Sequence, residues 1–90
     1  MADSRLSPPT KFNSNASDLF TEWKQWINAF KIYAIATELG EKSDEIQRAT
    51  LLHCLGPDTQ RIFETLPGVK KTYKEAELAL EKYFAPIREM

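Results

Sequence analysis

Residues 19–40 read LFTEWKQWINAFKIYAIATELG, and this stretch decides the fold. Its apolar side chains recur at steps of three and four residues, which places them on one face of an α-helix. Trp23, Trp26 and Phe30 lie on that face. A single helix cannot leave so much aromatic surface in water, so the segment predicts a small helical domain packed around this first helix.

Capping residues divide the chain into four predicted helices. Ser17 is the expected N-cap of the first helix, since its hydroxyl can accept from free backbone amides, and Gly40 is the expected left-handed C-cap. Ser43 precedes the run DEIQRATLLHCL as the second N-cap. The predicted helices span residues 17–39, 43–55, 57–66 and 72–85.

Turn signals separate the later helices. Gly56 is expected to end the second helix, and Pro57 suits the first turn of the third because it needs no amide hydrogen there. The Pro-Gly pair at 67–68 predicts a turn. Thr72 and Glu75 form the T-x-x-E pattern of a capping box at the start of the fourth helix.

These signals predict an all-α fold, a compact bundle of four to five short helices with an extended N-terminal arm. Prolines at 8 and 9 favour extended backbone over residues 1–14, and Phe12 is the expected anchor of this arm. The bundle itself is predicted over residues 15–87, with helix 1 at its centre. Its predicted core residues are Trp23, Trp26, Phe30, Leu52, Phe63, Leu80 and Phe84.

Composition argues against several classes of function. The 12 basic and 13 acidic residues are interspersed and give a net charge of −1. A nucleic-acid-binding domain normally carries a basic excess, so we expect no direct contact with nucleic acid. Trp23 and Trp26 have the spacing of packing residues rather than of a base-stacking platform. The single cysteine and the absence of a long apolar run indicate a cytoplasmic protein with no membrane partner.

The sequence offers no catalytic constellation, so we expect a protein that is not an enzyme and that needs no metal or other cofactor. His53 and Cys54 are adjacent, and on a helix their side chains diverge by about 100°, which prevents joint metal binding. A buried Cys54 and a partly buried, hydrogen-bonded His53 are the simpler interpretation. Lys70, Lys71 and Lys74 form the one local basic patch, which would either contact an acidic partner or simply be solvated.

Three segments in a fixed order carry a family resemblance. They are a proline-containing arm followed by WKQWINAFKIYAIATELG, then IQRATLLHCLG running directly into PDTQRIFETL, and last TYKEAELALEKYFAP. Together they cover residues 5–87. This order resembles the capsid N-terminal domain of Ty3/gypsy-type retrotransposon Gag polyproteins and of their domesticated, Arc-like descendants.

The resemblance implies a structural role. A capsid lobe of this kind assembles with copies of itself, through repeated weak contacts, into the shell of a virus-like particle. In such polyproteins a second helical lobe follows, so residues 88–90 would begin a linker. The expected contact surface is the exposed faces of helices 1 and 2, including Glu22, Lys24, Lys31 and Arg48.

The same family offers an alternative function, that of a peptide-binding adaptor. Arc-like relatives have a hydrophobic groove that accepts extended peptides beside the N-terminal arm. By position, Tyr33, His53 and Phe84 are the candidate wall residues, and Phe12 either lines the groove or fills it. A dimerisation module of the SCAN type is a third interpretation, less favoured because that module resembles the other capsid lobe.

Overall fold

A computed structural model describes residues 8–86, and this part of the chain is helical without any β-strand. Helix α1 spans Leu19–Ala36, α2 spans Asp44–Leu55, α3 spans Pro57–Thr65 and α4 spans Tyr73–Phe84. A short 3-10 turn, Leu39–Glu41, follows α1. The all-α prediction is therefore confirmed, and each predicted helix boundary lies within three residues of the observed one.

The predicted N-cap of α1 is wrong by one residue. Asp18, not Ser17, caps the helix: its Oδ1 accepts from the backbone amide of Thr21 at 3.2 Å, and its Oδ2 accepts from the Thr21 hydroxyl at 2.8 Å. A carboxylate at this position also interacts favourably with the positive end of the helix dipole, which a serine hydroxyl cannot match.

The predicted C-cap of α1 is also wrong. The left-handed residue after the helix is Glu38, with a φ of 59°, and Gly40 instead lies within the 3-10 turn. This early reversal brings Leu39 back into the core, where only 7% of its surface is exposed. Burying a leucine stabilises by roughly 1.5–3 kcal/mol, enough to offset the roughly 1–2 kcal/mol that a left-handed non-glycine residue costs.

The remaining caps match their predictions. Ser43 Oγ accepts from a first-turn amide of α2 at 3.2 Å. Gly56 has a φ of 95° between α2 and α3, and Pro57 is the first residue of α3. At α4 the capping box is complete: Thr72 Oγ1 accepts from the Glu75 amide at 3.1 Å, and Glu75 Oε1 accepts from the Thr72 amide at 3.1 Å.

Helices α2 and α4 each pack against two other helices: α4 packs against α1 and α2, and α2 packs against α4 and α3. Helix α1 supplies the largest buried side chains, Trp23 and Phe30, neither of which is exposed at all.

Most of the predicted core residues are buried, with one exception on α2. Leu52 is only half-buried, while Leu51 is fully buried. The inward face of α2 follows Leu51, Cys54 and Leu55, whose spacing of three and four residues points them at the interior. Leu52 is rotated by about 100° from Leu51 and packs at the edge of the core.

Replacing Phe30 by alanine should lower the free energy of unfolding by roughly 3–5 kcal/mol, because the change opens a cavity beside Trp26. Chemical denaturation followed by circular dichroism measures the loss. Ile35→Ala on the same helix is the control, since Ile35 is 79% exposed and should cost less than about 1 kcal/mol. Equal stability of Phe30→Ala and the parent would contradict this core.

A substitution at Thr59 should stabilise the protein, whereas Phe30→Ala should destabilise it. Its side chain is fully buried on α3, and its hydroxyl has no hydrogen-bond partner among residues 8–86. Thr59→Val should raise the free energy of unfolding by about 1 kcal/mol, because it replaces an unpaired buried hydroxyl by a methyl group of similar shape. In the matched control, Thr65→Val, the exposed hydroxyl that donates to Ile62 O at 2.7 Å is lost, and no gain is expected.

Candidate functional site

The N-terminal arm is inserted into the bundle through Phe12. Only 4% of this residue is exposed. Its ring centroid lies 4.5 Å from that of Phe84 and 5.8 Å from that of Trp23, and the contact with Trp23 is edge to face. Edge-to-face packing is a favourable aromatic geometry. Phe12 is therefore part of the hydrophobic core, and the prediction that it anchors the arm is confirmed.

Hydrogen bonds fix the arm on both sides of Phe12. The indole Nε1 of Trp26 donates to the carbonyl of Thr10 at 2.6 Å, and the amide of Phe12 donates to the carbonyl of Leu55 at 3.3 Å. The side chain of Lys11 lies so close to Gly56 that an added Cβ there would meet it at 3.0 Å. The arm thus joins the middle of α1 to the junction of α2 and α3.

The four predicted groove residues do not line one open groove. Phe12 and Phe84 contact each other in the core, and Phe84 is only 3% exposed. Tyr33 is half-buried, with its ring 6.3 Å from that of Phe30. His53 is exposed on α2, not partly buried as expected, and it lies at a separate depression between α2 and α3. The arm of the chain itself occupies the position beside Phe84.

The depression at His53 has a volume of about 390 Å³ and a mixed lining. Leu52 and Phe63 supply apolar surface, while Arg48, His53 and Gln60 supply polar groups. Gln60 is held in place because its Nε2 donates to the carbonyl of Leu52 at 2.7 Å. This combination of a fixed amide, a cation and apolar surface could accept a short stretch of extended peptide.

The charged residues predicted for assembly have roles within the chain. Lys24 pairs with Glu81 at 3.4 Å and Lys31 pairs with Glu77 at 3.1 Å, so both lysines link α1 to α4. Such exposed pairs contribute only about 0–1 kcal/mol each. Glu22 is half-buried on the same helix. These side chains border an outward surface but do not form its centre.

Arg48, the fourth residue predicted for assembly, holds the loop that follows α3. Its Nε donates to the carbonyl of Lys70 at 2.8 Å, and its guanidinium lies 5.5 Å from the centre of the Phe63 ring. Lys70 Nζ donates to the carbonyl of Phe63 at 2.8 Å, which caps the C-terminal end of α3 with a positive charge. Of the basic patch, only Lys71 and Lys74 therefore remain exposed.

Sequence reasoning predicted a contact on the exposed face of helix 1 but named only charged residues, and it missed the uncharged centre of this face. Ile35 is 79% exposed and Ile32 is 60% exposed, the largest apolar exposures on this helix. The sequence contained this information, because the helical period places the uncharged residues on the side of α1 opposite Trp23 and Trp26. The exposed residues of this face are Thr21, Gln25, Asn28, Ala29, Ile32, Ile35 and Ala36.

Two titratable side chains in the described part of the chain have clearly shifted pKa values. Burial raises the pKa of the Cys54 thiol, which keeps it in its unreactive protonated form. Burial, and secondarily the carboxylate of Glu77, raise the pKa of the Tyr73 phenol. No three His, Cys, Asp or Glu side chains within residues 8–86 are placed to hold a metal ion together.

The tryptophans are not available to nucleic-acid bases in this fold. Trp23 is fully buried and Trp26 is 5% exposed, and their rings stack on each other with centroids 5.9 Å apart. Base stacking would require at least one exposed ring face. The interpretation of both residues as packing residues is therefore confirmed.

No helix within residues 8–86 combines the length and the apolar character needed to cross a membrane. Comparisons of the chain with protein-family models, with curated proteins and with solved structures gave no match.

Phe12→Ala tests whether the arm is part of the core. The change should lower the free energy of unfolding by roughly 3–5 kcal/mol, since it removes a buried ring and exposes part of the Trp23 and Phe84 surfaces. Denaturation followed by tryptophan fluorescence measures the effect. Pro8→Ala, at an exposed arm position, is the control and should change stability by less than about 1 kcal/mol. An unchanged midpoint for Phe12→Ala would show that the arm is dispensable.

Proposed function

We propose that this chain is a non-enzymatic capsid lobe of the Ty3/gypsy Gag type, which assembles with copies of itself into a virus-like particle shell in the cytoplasm. The ordered sequence segments support the family. The uncharged outward face of α1 is the single observation that carries the assembly role. Copies of the chain are then its main partner, and neither a cofactor nor nucleic acid is needed by this segment.

The composition of that face argues for contact with protein. A helix face that meets only water usually carries charged side chains. The seven outward residues of α1 lie within an arc of about 120° and include no charge, while Lys24 and Lys31 stand along one border. Ile32 and Ile35 would lose their exposed area in a contact, and burial of a whole isoleucine side chain stabilises by roughly 1.5–3 kcal/mol.

The size of the face predicts a weak contact. Residues 21–36 extend over about 22 Å along a helix about 10 Å wide, which amounts to a few hundred Å² per partner. Stable interfaces bury roughly 800 Å² per partner. A single contact would therefore be transient, but many such contacts act together in a closed shell, as the capsid interpretation requires.

The proposal changes the predicted assembly surface in one respect. Arg48 is removed from it, because its guanidinium is engaged with the carbonyl of Lys70 and the ring of Phe63. Glu22, Lys24 and Lys31 remain as flanking residues that could adjust orientation through their charge. The contact is thereby assigned to α1 rather than to α1 and α2 together.

Paired aspartate substitutions on α1 provide the test. In the longest protein that the gene encodes, the variant Ile32→Asp with Ile35→Asp should abolish particles in electron micrographs, because charges would be buried at each contact. Ile46→Asp on α2 is the matched control, since Ile46 is 49% exposed outside this face. Normal particles from the double variant would reject this surface, and a parent that never forms particles would reject the capsid proposal.

The second candidate function is a peptide-binding adaptor, and the depression beside His53 favours it. Its ligand would be a short extended host peptide with an apolar side chain for Leu52 and Phe63. A ligand carboxylate would accept from the Nη groups of Arg48, since the bond to Lys70 uses Nε. Nuclear magnetic resonance with a panel of such peptides distinguishes the two functions. Saturable shifts at His53 and Gln60, lost in Arg48→Gln, would support the adaptor, and unchanged spectra would leave self-assembly as the function.

A further inference from the structure

Helix α4 has an outward face with a different composition from that of α1. Leu78 is 51% exposed and Tyr83 is 53% exposed, and the small residue Ala79 lies between them. Val69, which is 65% exposed, lines the same shallow depression as Leu78 and Ala79. This apolar centre has charged residues on both sides along the helix.

The charges on this face have opposite signs at its two ends. Glu75 lies one turn before the Leu78–Ala79 centre, and Lys82 lies one turn after it. The capping hydrogen bonds use Oε1 of Glu75. Among residues 8–86, neither Lys74 nor Lys82 forms an ion pair. The face thus offers an apolar centre between a carboxylate and an ammonium group.

We propose that this α4 face is a two-fold contact, in which a second copy of the chain packs its own α4 antiparallel to the first. The inference rests on the proposed self-assembly and names a second contact for it. The two-fold axis passes between Leu78 and Ala79. Each residue of one α4 then faces the residue of the partner's α4 that lies equally far along the helix on the other side of this axis. Leu78 then faces the partner's Ala79, and Glu75 faces the partner's Lys82.

In this antiparallel register the side chains that face each other are complementary in size and in charge. The large Leu78 meets the small Ala79 of the other copy, which allows close approach of the two helices. The pairing of Glu75 with Lys82 occurs twice, because a two-fold axis repeats every contact. Lys74 comes to face the partner's Tyr83, where a cation can lie over the ring. Parallel packing in register would instead set Lys82 against Lys82 and Glu75 against Glu75.

A second contact is also required by the geometry of a shell. One isologous contact joins two copies and then stops, so it cannot close a surface. A shell needs at least two different contacts on each subunit. The face of α1 and the face of α4 carry different residues and can be occupied at the same time, since no residue belongs to both.

Self-association of the 90-residue chain tests the proposal. Sedimentation equilibrium up to millimolar concentration should show a weak monomer–dimer equilibrium, and Lys82→Glu should raise its dissociation constant by about tenfold, because two attractions become two repulsions. Leu78→Lys should abolish dimers. Lys42→Glu changes the net charge equally at an exposed position outside α4 and should leave the constant unchanged. A monomer at all concentrations, or equal effects of Lys82→Glu and Lys42→Glu, would overturn the proposal.

Disulfide trapping tests the orientation. In a Cys54→Ala background, a mixture of Lys82→Cys and Glu75→Cys proteins, each first shown to be folded, should form mixed dimers faster than either protein forms its own. Preferential Lys82→Cys homodimers would indicate parallel packing and overturn the register. If the α4 variants leave the chain's association unchanged while the full gene product still forms particles, this inference fails and the capsid proposal stands. The α4 contact is likewise rejected if particles are lost in the α1 double variant but not in the α4 variants.

Discussion

The packing of Phe12 against Trp23 and Phe84 is the contact on which the rest of the structure depends. It joins the arm, α1 and α4 in a single aromatic cluster, which continues through Trp26 to Phe30. A domain of this size buries only about three fifths of its unfolded surface, so it relies on large rings for stability. Residues 10–12 are therefore a structural element of the bundle.

The burial of the aromatic residues limits which side chains are available for binding. Both tryptophans and Phe84 lie inside, and Arg48 and Lys70 hold the loop after α3. Phe12 of the arm occupies the position beside Phe84, one of the residues that the family resemblance assigns to a peptide groove. The described residues offer the outer faces of the helices and several open depressions, among them those beside His53 and beside Leu78. The proposed protein contacts rest on these surfaces.

The sequence predicted what local chemistry determines. Ser43, the Gly56-Pro57 junction and the Thr72–Glu75 capping box act through neighbouring backbone groups, and all are found as expected. The end of α1 was missed because it depends on the burial of Leu39. Leu51 is in the core where Leu52 was predicted, and this likewise depends on the side from which α4 packs against α2. Both are tertiary effects that a helical period alone does not specify.

Surface residues were harder to assign because a charged residue in a sequence does not reveal its partner. Lys24 and Arg48 looked alike, yet one pairs with a carboxylate of α4 and the other donates to a backbone carbonyl. Charged side chains reach partners that lie far away in the sequence, whereas uncharged exposed stripes, such as that of α1, follow directly from the helical period. In this chain the uncharged face of α1 is therefore the better candidate for a protein contact, because Lys24 and Arg48 already have intramolecular partners.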